Sequence, residues 1–125
     1  MAPATNPVSV LLVEDEVLIS ALVADTLAEN GFEVHEAATA DEALRYIEAG
    51  GAVDVLFTDV NLPGTMDGRE LAARVRARRP ELPVVYASGR YDSRDVGPLV
   101  PRSVFMTKPY NPDEVCKLLA RLTAH

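Results

Sequence analysis

Three acidic side chains and one lysine stand at the ends of apolar runs in this chain of 125 residues. Leu11-Leu12-Val13 leads into Glu14 and Asp15. Phe57-Thr58 leads into Asp59, followed by Val60-Asn61-Leu62-Pro63. Val104-Phe105-Met106-Thr107 leads into Lys108-Pro109. Asp15 and Asp59 brought close together would repel, each raising the pKa of the other. A hard divalent cation removes that conflict, and Mg2+ in particular prefers oxygen ligands in octahedral geometry while keeping several waters. Two carboxylates, one backbone carbonyl and waters would complete its shell. Asn61, two residues past Asp59, could supply the carbonyl, and Glu14 could act directly or through water. An isolated acid is most often a solvated loop residue; acids at the ends of two apolar strands are harder to dismiss.

Asp59 has a second chemistry open to it. An aspartyl carboxylate can act as a nucleophile toward phosphorus and form an acyl phosphate. The group in flight spreads charge over three equatorial oxygens, so catalysis is mainly alignment and neutralisation. A metal ion would meet one oxygen and Lys108, a point charge on a flexible stem, another. Ser88, or the backbone N–H of Gly89, could meet the third. Pro109 restricts the backbone of Lys108 and makes a cis bond accessible.

Elements that would position these groups are legible from the hydrophobic pattern. Val8–Val13 is nearly all apolar, as suits a strand buried on both faces. From Val17 the period changes: Leu18 and Leu22, with Ile19, Val23, Thr26 and Leu27, predict a helix reaching Asn30 and ended by Gly31. Phe32–Ala37 reads as a strand near a sheet edge, because Glu33, His35 and Glu36 interrupt it. A helix starts at Thr39 or Ala40, turns Ala43, Leu44 and Ile47 inward, and stops at Gly50-Gly51. Val53–Thr58 is the third strand, Gly68–Arg78 a helix anchored by Leu71 and Val75, and Leu82–Ala87 the fourth strand. A fifth strand contains Val104–Met106. A last helix opens at Asn111 or Pro112, with Val115, Leu118, Leu119 and Leu122 on one face. Between Ser88 and Val104, Gly97, Pro98 and Pro101 leave space for one or two irregular helical turns around Ser93–Val96.

Five strands alternating with about five helices imply an α/β fold, with a parallel sheet covered on both faces. Such sheets bind ligands outside the carboxyl ends of their strands, where strand order reverses. Glu14, Asp15, Asp59, Ser88 and Lys108 all fall at predicted carboxyl ends.

Size and composition set the outer limits. At 13.5 kDa and 48% hydrophobic residues, the chain has room for one ordinary globular domain. Residues 1–7 read as a loose tail and 8–124 as the domain. A formal net charge of −7 argues against nucleic acid and membrane partners. The single Cys116 cannot form an internal disulfide, and no stretch approaches eighteen apolar residues, so a cytoplasmic setting is expected. Other candidates are weak. Gly64 and Gly68 do not match a phosphate-binding glycine loop and read as turn residues. His35 and His125 are too few and too far apart for zinc. Arg74, Arg76, Arg78 and Arg79 read as complements to a helix dipole on a solvated face.

Taken together, Leu12-Val13-Glu14-Asp15, Asp59-Val60-Asn61-Leu62-Pro63, Ala87-Ser88-Gly89 and Lys108-Pro109 resemble, in order and spacing, the receiver domain of two-component response regulators. The resemblance covers residues 8 to 124. It implies the doubly wound, flavodoxin-like and CheY-like sheet with strand order 2-1-3-4-5. It also implies phosphoryl transfer from a phosphohistidine on a sensor histidine kinase or histidine phosphotransfer protein, with Mg2+ required. By that resemblance Asp59 is the phosphoacceptor, Asp15 and the Asn61 carbonyl bind metal with Asp59, and Glu14 assists. Ser88 is the hydroxyl that moves toward the phosphoryl group, Lys108 pairs with that group, and Phe105 occupies the aromatic switch position. Glu14 stands where many members carry Asp. The loop Pro63–Gly68 is somewhat extended, and the short, proline-bearing fourth-helix region weakens the expectation of a dimer.

The leading expectation is a phosphoacceptor domain in phosphorelay signal transduction. It would act as a single-domain response regulator that binds a target protein, or as a relay intermediate. It would catalyse its own aspartyl phosphorylation and dephosphorylation, without a separate turnover activity. The alternative is a phosphorylation-independent protein-binding scaffold with the same fold.

Overall fold

A computed structural model describes residues 7–89 and 99–124. Five strands form one parallel sheet: β1 (Ser9–Val13), β2 (Glu33–Ala37), β3 (Val55–Asp59), β4 (Val84–Ser88) and β5 (Ser103–Thr107), in the order β2-β1-β3-β4-β5. Four helices lie among the described residues: α1 (Val17–Glu29), α2 (Ala40–Glu48), α3 (Gly68–Arg78) and α4 (Pro112–Thr123). The helical turns expected around Ser93–Val96 fall outside the described residues.

Period-2 alternation divides the strand side chains between two apolar layers. Leu11, Val13, Leu56, Val84 and Tyr86 face one layer with Ala43, Leu44 and Ile47 of α2 and Leu71, Ala72 and Val75 of α3. Val10, Leu12, Val55, Phe57, Val85 and Ala87 face the other, with Val23, Ala24 and Leu27 of α1 and Val115, Cys116 and Leu119 of α4. Burying each such Leu, Val or Phe contributes about 1.5–3 kcal/mol. The strand boundaries differ from the sequence expectation in one consistent way. β3 and β4 begin later and end later, so Asp59 and Ser88 are the last residues of their strands instead of the first beyond them. Val53 and Leu82 are buried but precede the ladder, which Pro83 delays.

Helix starts follow capping chemistry. Thr39 accepts from the Glu42 N–H at 3.1 Å while the Glu42 carboxylate accepts from the Ala38 N–H at 3.2 Å, close to a capping box. Asp67 caps α3 through the Glu70 N–H at 3.0 Å, and Asn111 caps α4 with Pro112 as the first helical residue. By contrast, α1 has no side-chain cap. Its two apolar stripes also part company: Val23 and Leu27 are buried, but Val17 is 76% exposed, Leu18 86% and Leu22 58%. The periodicity located the helix and did not reveal that one stripe faces outward.

The arginines at the end of α3 are not merely solvated. Arg76 donates to the carbonyls of Leu82, Pro101 and Arg102 at 2.7, 2.7 and 3.0 Å, and Arg79 donates to that of Val53 at 3.2 Å. They tie the approaches of β3, β4 and β5 to the helix.

Candidate phosphoacceptor site

β1 and β3 are neighbours, and β2 lies on the far side of β1. The chain's strand order therefore reverses beside β1, and the crevice opens outside the carboxyl ends of β1 and β3. Glu14 and Asp15 follow β1 directly, and Asp59 closes β3. One carboxylate oxygen from each of Glu14, Asp15 and Asp59 lies within 4.8 Å of the others. Asp15 is exposed, Asp59 half-buried and Glu14 only 4% exposed. This set of hard oxygen donors on a partly open crevice suits a divalent cation of the magnesium class.

Lys108 reaches the same crevice from the end of β5. Its Nζ donates to Glu14 Oε1 at 2.6 Å and to Asp59 Oδ2 at 3.1 Å, across 94 and 49 residues of sequence. The lysine backbone is fixed by its N–H, which donates to the Ser88 carbonyl at 2.9 Å, and the Lys108–Pro109 bond is cis. Burial raises the Asp59 carboxyl above its ordinary pKa, although the Lys108 charge and the Asn61 backbone N–H pull the other way. Burial likewise raises Glu14, against its bond from Lys108. For Lys108, burial alone would lower the pKa; the bond to Glu14 and the charge of Asp59 outweigh it and hold the ammonium above its ordinary value. The lysine is thus a fixed cation between two carboxylates that burial makes costly to ionise.

The other expected residues lie on the neighbouring strands and the loop after β3. Ser88 is fully buried at the end of β4, paired with Thr107 of β5 in the ladder. Asn61 follows two residues after the acceptor, and its backbone N–H acts to lower the Asp59 carboxyl. Phe105 sits opposite Tyr86 in the β4–β5 register and is half-buried against the α2–α3 layer. His35 stacks on Tyr46 with ring centroids 3.8 Å apart, far along the edge strand from these groups in sequence.

Three residues escaped the sequence reading. Gly68 was read as a turn residue, yet its N–H donates to the Val60 carbonyl at 2.9 Å, and a Cβ there would collide with the carbonyl oxygen of Asp59. The first residue of α3 therefore presses on the backbone of the acceptor, and only glycine permits it. Tyr86 is fully buried, and its hydroxyl accepts from the Val100 N–H at 3.1 Å. An aromatic inside the apolar run Leu82–Ala87 was the available signal. Tyr110 packs on Phe57 with centroids 5.5 Å apart, and burial and the Glu14 charge push its phenol up to about 12.

The family model for the response regulator receiver domain matches residues 10–120. The chain belongs to that family, whose domains work in phosphorelay signalling. It is 40% identical over 119 residues to the transcriptional regulatory protein TcrA of Mycobacterium tuberculosis, covering 94% of this chain and 45% of that protein. Among solved structures, a response regulator receiver protein from Sinorhizobium medicae superposes with a TM-score of 0.87 at 27% identity, covering 94% of each chain. The receiver domain of the hybrid histidine kinase CckA superposes with a TM-score of 0.79 at 30% identity, covering 92% of this chain and 98% of that one. The chain spans less than half the length of the curated relatives it matches. No helix among the described residues is long and apolar enough to cross a membrane.

Proposed function

We propose that Asp59 accepts a phosphoryl group from a phosphohistidine, with Mg2+ held by Asp15, Asp59 and the Asn61 carbonyl. The observation that carries this reading is the Lys108 ammonium 3.1 Å from Asp59 Oδ2, inside the cluster formed with Glu14 and Asp15. The cation, when bound, neutralises charge on the transferring oxygens. An Asp59 carboxylate oxygen attacks phosphorus as the P–N bond to the donor imidazole breaks. The departing ring nitrogen takes up a proton, and an aspartyl phosphate remains. Lys108 neutralises a second phosphoryl oxygen, and Ser88, one strand over, supplies a hydroxyl toward the third. Water attack on the same phosphorus later restores the carboxylate, so the domain catalyses both loading and unloading of its own aspartate.

The donor in this reading is a sensor histidine kinase or a histidine phosphotransfer protein in the cytoplasm. Beside the site, the exposed stripe of Val17, Leu18 and Leu22 adjoins a cavity of about 470 Å3 reaching Lys108, Pro109 and Tyr110, which suits a protein carrier. Output runs either to a target protein or onward along a relay. Incubation with acetyl phosphate and Mg2+, followed by intact-mass analysis, is expected to add one acid-stable, base-labile phosphoryl group at Asp59. Folded protein that takes no label from acetyl phosphate or from a phosphorylated kinase overturns the reading. Partner affinity equal for the wild type, D59A and the phosphorylated form would instead favour the scaffold alternative.

A further inference from the structure

The amino ends of β1 and β2 hold a second polar cavity, at the opposite end of the sheet from Asp59. It measures about 310 Å3, the size of a small-ligand cavity, and Ser9, Glu33, His35, Tyr46 and Ala52 line it. Ser9 pairs with Glu33 and Leu11 with His35 in the ladder, so alternation sets Ser9, Glu33 and His35 on the face of the sheet that α2 covers. His35 stacks on Tyr46 with 14° between the ring planes. Tyr46 is held in turn: its hydroxyl donates to the Ala52 carbonyl at 2.8 Å, and its ring fills the space that a Cβ on Gly51 would need. Ser9 is only 8% exposed. Asp54 takes its N–H and its carbonyl, at 2.8 and 2.7 Å, but the Ser9 hydroxyl borders the cavity with no partner among the described residues. Glu33 is exposed and likewise unpaired among the described residues. No lysine or arginine is among the lining residues.

Beside this cavity β2 is an edge of the sheet, paired with β1 alone. The Glu33 N–H donates to the Val8 carbonyl, so Glu33, His35 and Ala37 bond toward β1 and the N–H and C=O groups of Val34 and Glu36 point outward. We propose that this edge docks an extended basic segment of a partner protein, which adds a strand to β2 and sets an arginine guanidinium in the cavity. The outward groups of Val34 and Glu36 supply main-chain hydrogen bonds, and the cavity supplies selectivity. The guanidinium donates to the Glu33 carboxylate and the Ser9 hydroxyl and lies against the His35–Tyr46 stack, contacts that suit a planar fork and not an ammonium. Glu36 does not compete for it, because the Ser20 hydroxyl donates to Glu36 Oε1 at 2.7 Å. A second copy of this chain is the poorer occupant. Two paired β2 strands would gather Glu33 and Glu36 of both copies on one ribbon, where facing like charges destabilise. Nothing in this docking depends on phosphorylation of Asp59.

Three probes are titrated into the 15N-labelled full chain: the peptide acetyl-Thr-Val-Arg-Val-Thr-amide, the same peptide with lysine for arginine, and acetyl-arginine amide. Amide shifts are expected at Ser9 and across Val34, His35 and Glu36, with the Asp59 crevice unmoved. The arginine peptide should bind about fivefold or more tighter than the lysine peptide. It should bind about tenfold or more tighter than acetyl-arginine amide, which brings the guanidinium without the strand. E33Q and H35A should each weaken the arginine peptide about fivefold or more. Both residues are exposed, and the amide spectrum of each variant reports directly whether the fold is kept. Equal binding of the two peptides, affinity unchanged in both variants, or shifts that miss β2 overturn the proposal. Acetyl-arginine amide binding as tightly as the peptide also overturns it, since no strand then pairs. So does concentration-dependent broadening of the β2 amides without any probe, which would hand the edge to a second copy.

Discussion

At the carboxyl ends of β1, β3 and β5, one buried and one half-buried carboxylate share one ammonium beside an exposed third acid. At the amino ends of β3, β4 and β5, guanidinium groups meet backbone carbonyls. Both ends are polar and both join elements distant in sequence, yet they are built on different terms. Arg76 and Arg79 donate to neutral backbone carbonyls, so each bond is a net gain of about 1 kcal/mol. Glu14 and Asp59 are carboxylates whose pKa values burial raises even though the Lys108 ammonium between them pulls the other way, so part of the cost of ionising them remains. One end holds the sheet together; the other gathers carboxylates whose ionised forms a divalent cation would stabilise. Functional sites commonly carry such a cost.

The comparison is broken most sharply at Asp59. D59A is expected to abolish phosphorylation at this position, read by intact mass, while raising the stability of the metal-free domain by about 1 kcal/mol in urea denaturation. Loss of label together with loss of stability would mean that Asp59 belongs to the structural end in its energetics. Next in size is G68A. The added methyl must displace the Asp59 carbonyl or the start of α3. A cost of about 3 kcal/mol is expected, in the range for overpacking, together with slowed phosphorylation because the acceptor itself moves. Normal labelling in a destabilised G68A would show that strand β3 holds Asp59 independently of α3. A smaller effect belongs to Arg76. R76M keeps the stem and loses three carbonyl bonds, two of them solvent-exposed, for an expected cost of about 2 kcal/mol. Phosphorylation by acetyl phosphate should proceed at the wild-type rate in the folded fraction; a slowed rate would couple the two ends of the sheet.

The two ends also differ in how far they could be read beforehand. Apolar runs and helix signals gave the parallel fold, its edge strand β2, the α3 boundaries Gly68–Arg78 and the convergence of Glu14, Asp15, Asp59 and Lys108. Chemistry is legible there because carboxylates and a lysine at strand ends are unusual residue types in those places. The structural end was missed because arginine on a helix end has an ordinary solvated explanation. Its carbonyl partners at Leu82, Pro101 and Arg102 carry no signature in their side chains. Gly68 was missed for a related reason: a glycine kept for close approach looks like a glycine kept for a turn, as at Gly64 with its φ of 97°. The exposed stripe of α1 was hidden because periodicity reports apolar spacing, not which of two stripes is covered.

The finest test separates the ends by pH. In metal-free protein, Asp59 and Glu14 have folded-state pKa values raised above 3.8 and 4.5. In the window between those values and the folded ones, the folded state binds more protons than the unfolded state, so stability rises as pH falls through the window. Lys108 is raised too, but above 10.5; its contribution is complete throughout the acidic and neutral range and is lost only in strong base. Asp67 runs the other way. Its pKa is lowered: burial opposes this, but the Glu70 N–H and Arg69 bonds outweigh it. Its stabilisation is present above 3.8 and is lost as pH falls through its depressed folded value. Urea midpoints in EDTA should therefore rise as pH falls through the window above 3.8 and 4.5 set by Asp59 and Glu14, and fall again once pH drops through the depressed value of Asp67. The same series in D59N should show a shallower rise, because one of the two raised carboxyls is gone. In saturating Mg2+ the rise should flatten or reverse, since the bound cation favours the ionised carboxylates. R76M should shift every midpoint downward without altering the slope, because the guanidinium stays charged across the whole range. A metal-free midpoint that shows no rise anywhere as pH falls toward 4.5 and 3.8 would mean that Lys108 fully compensates these carboxylates, leaving the two ends of the sheet energetically alike.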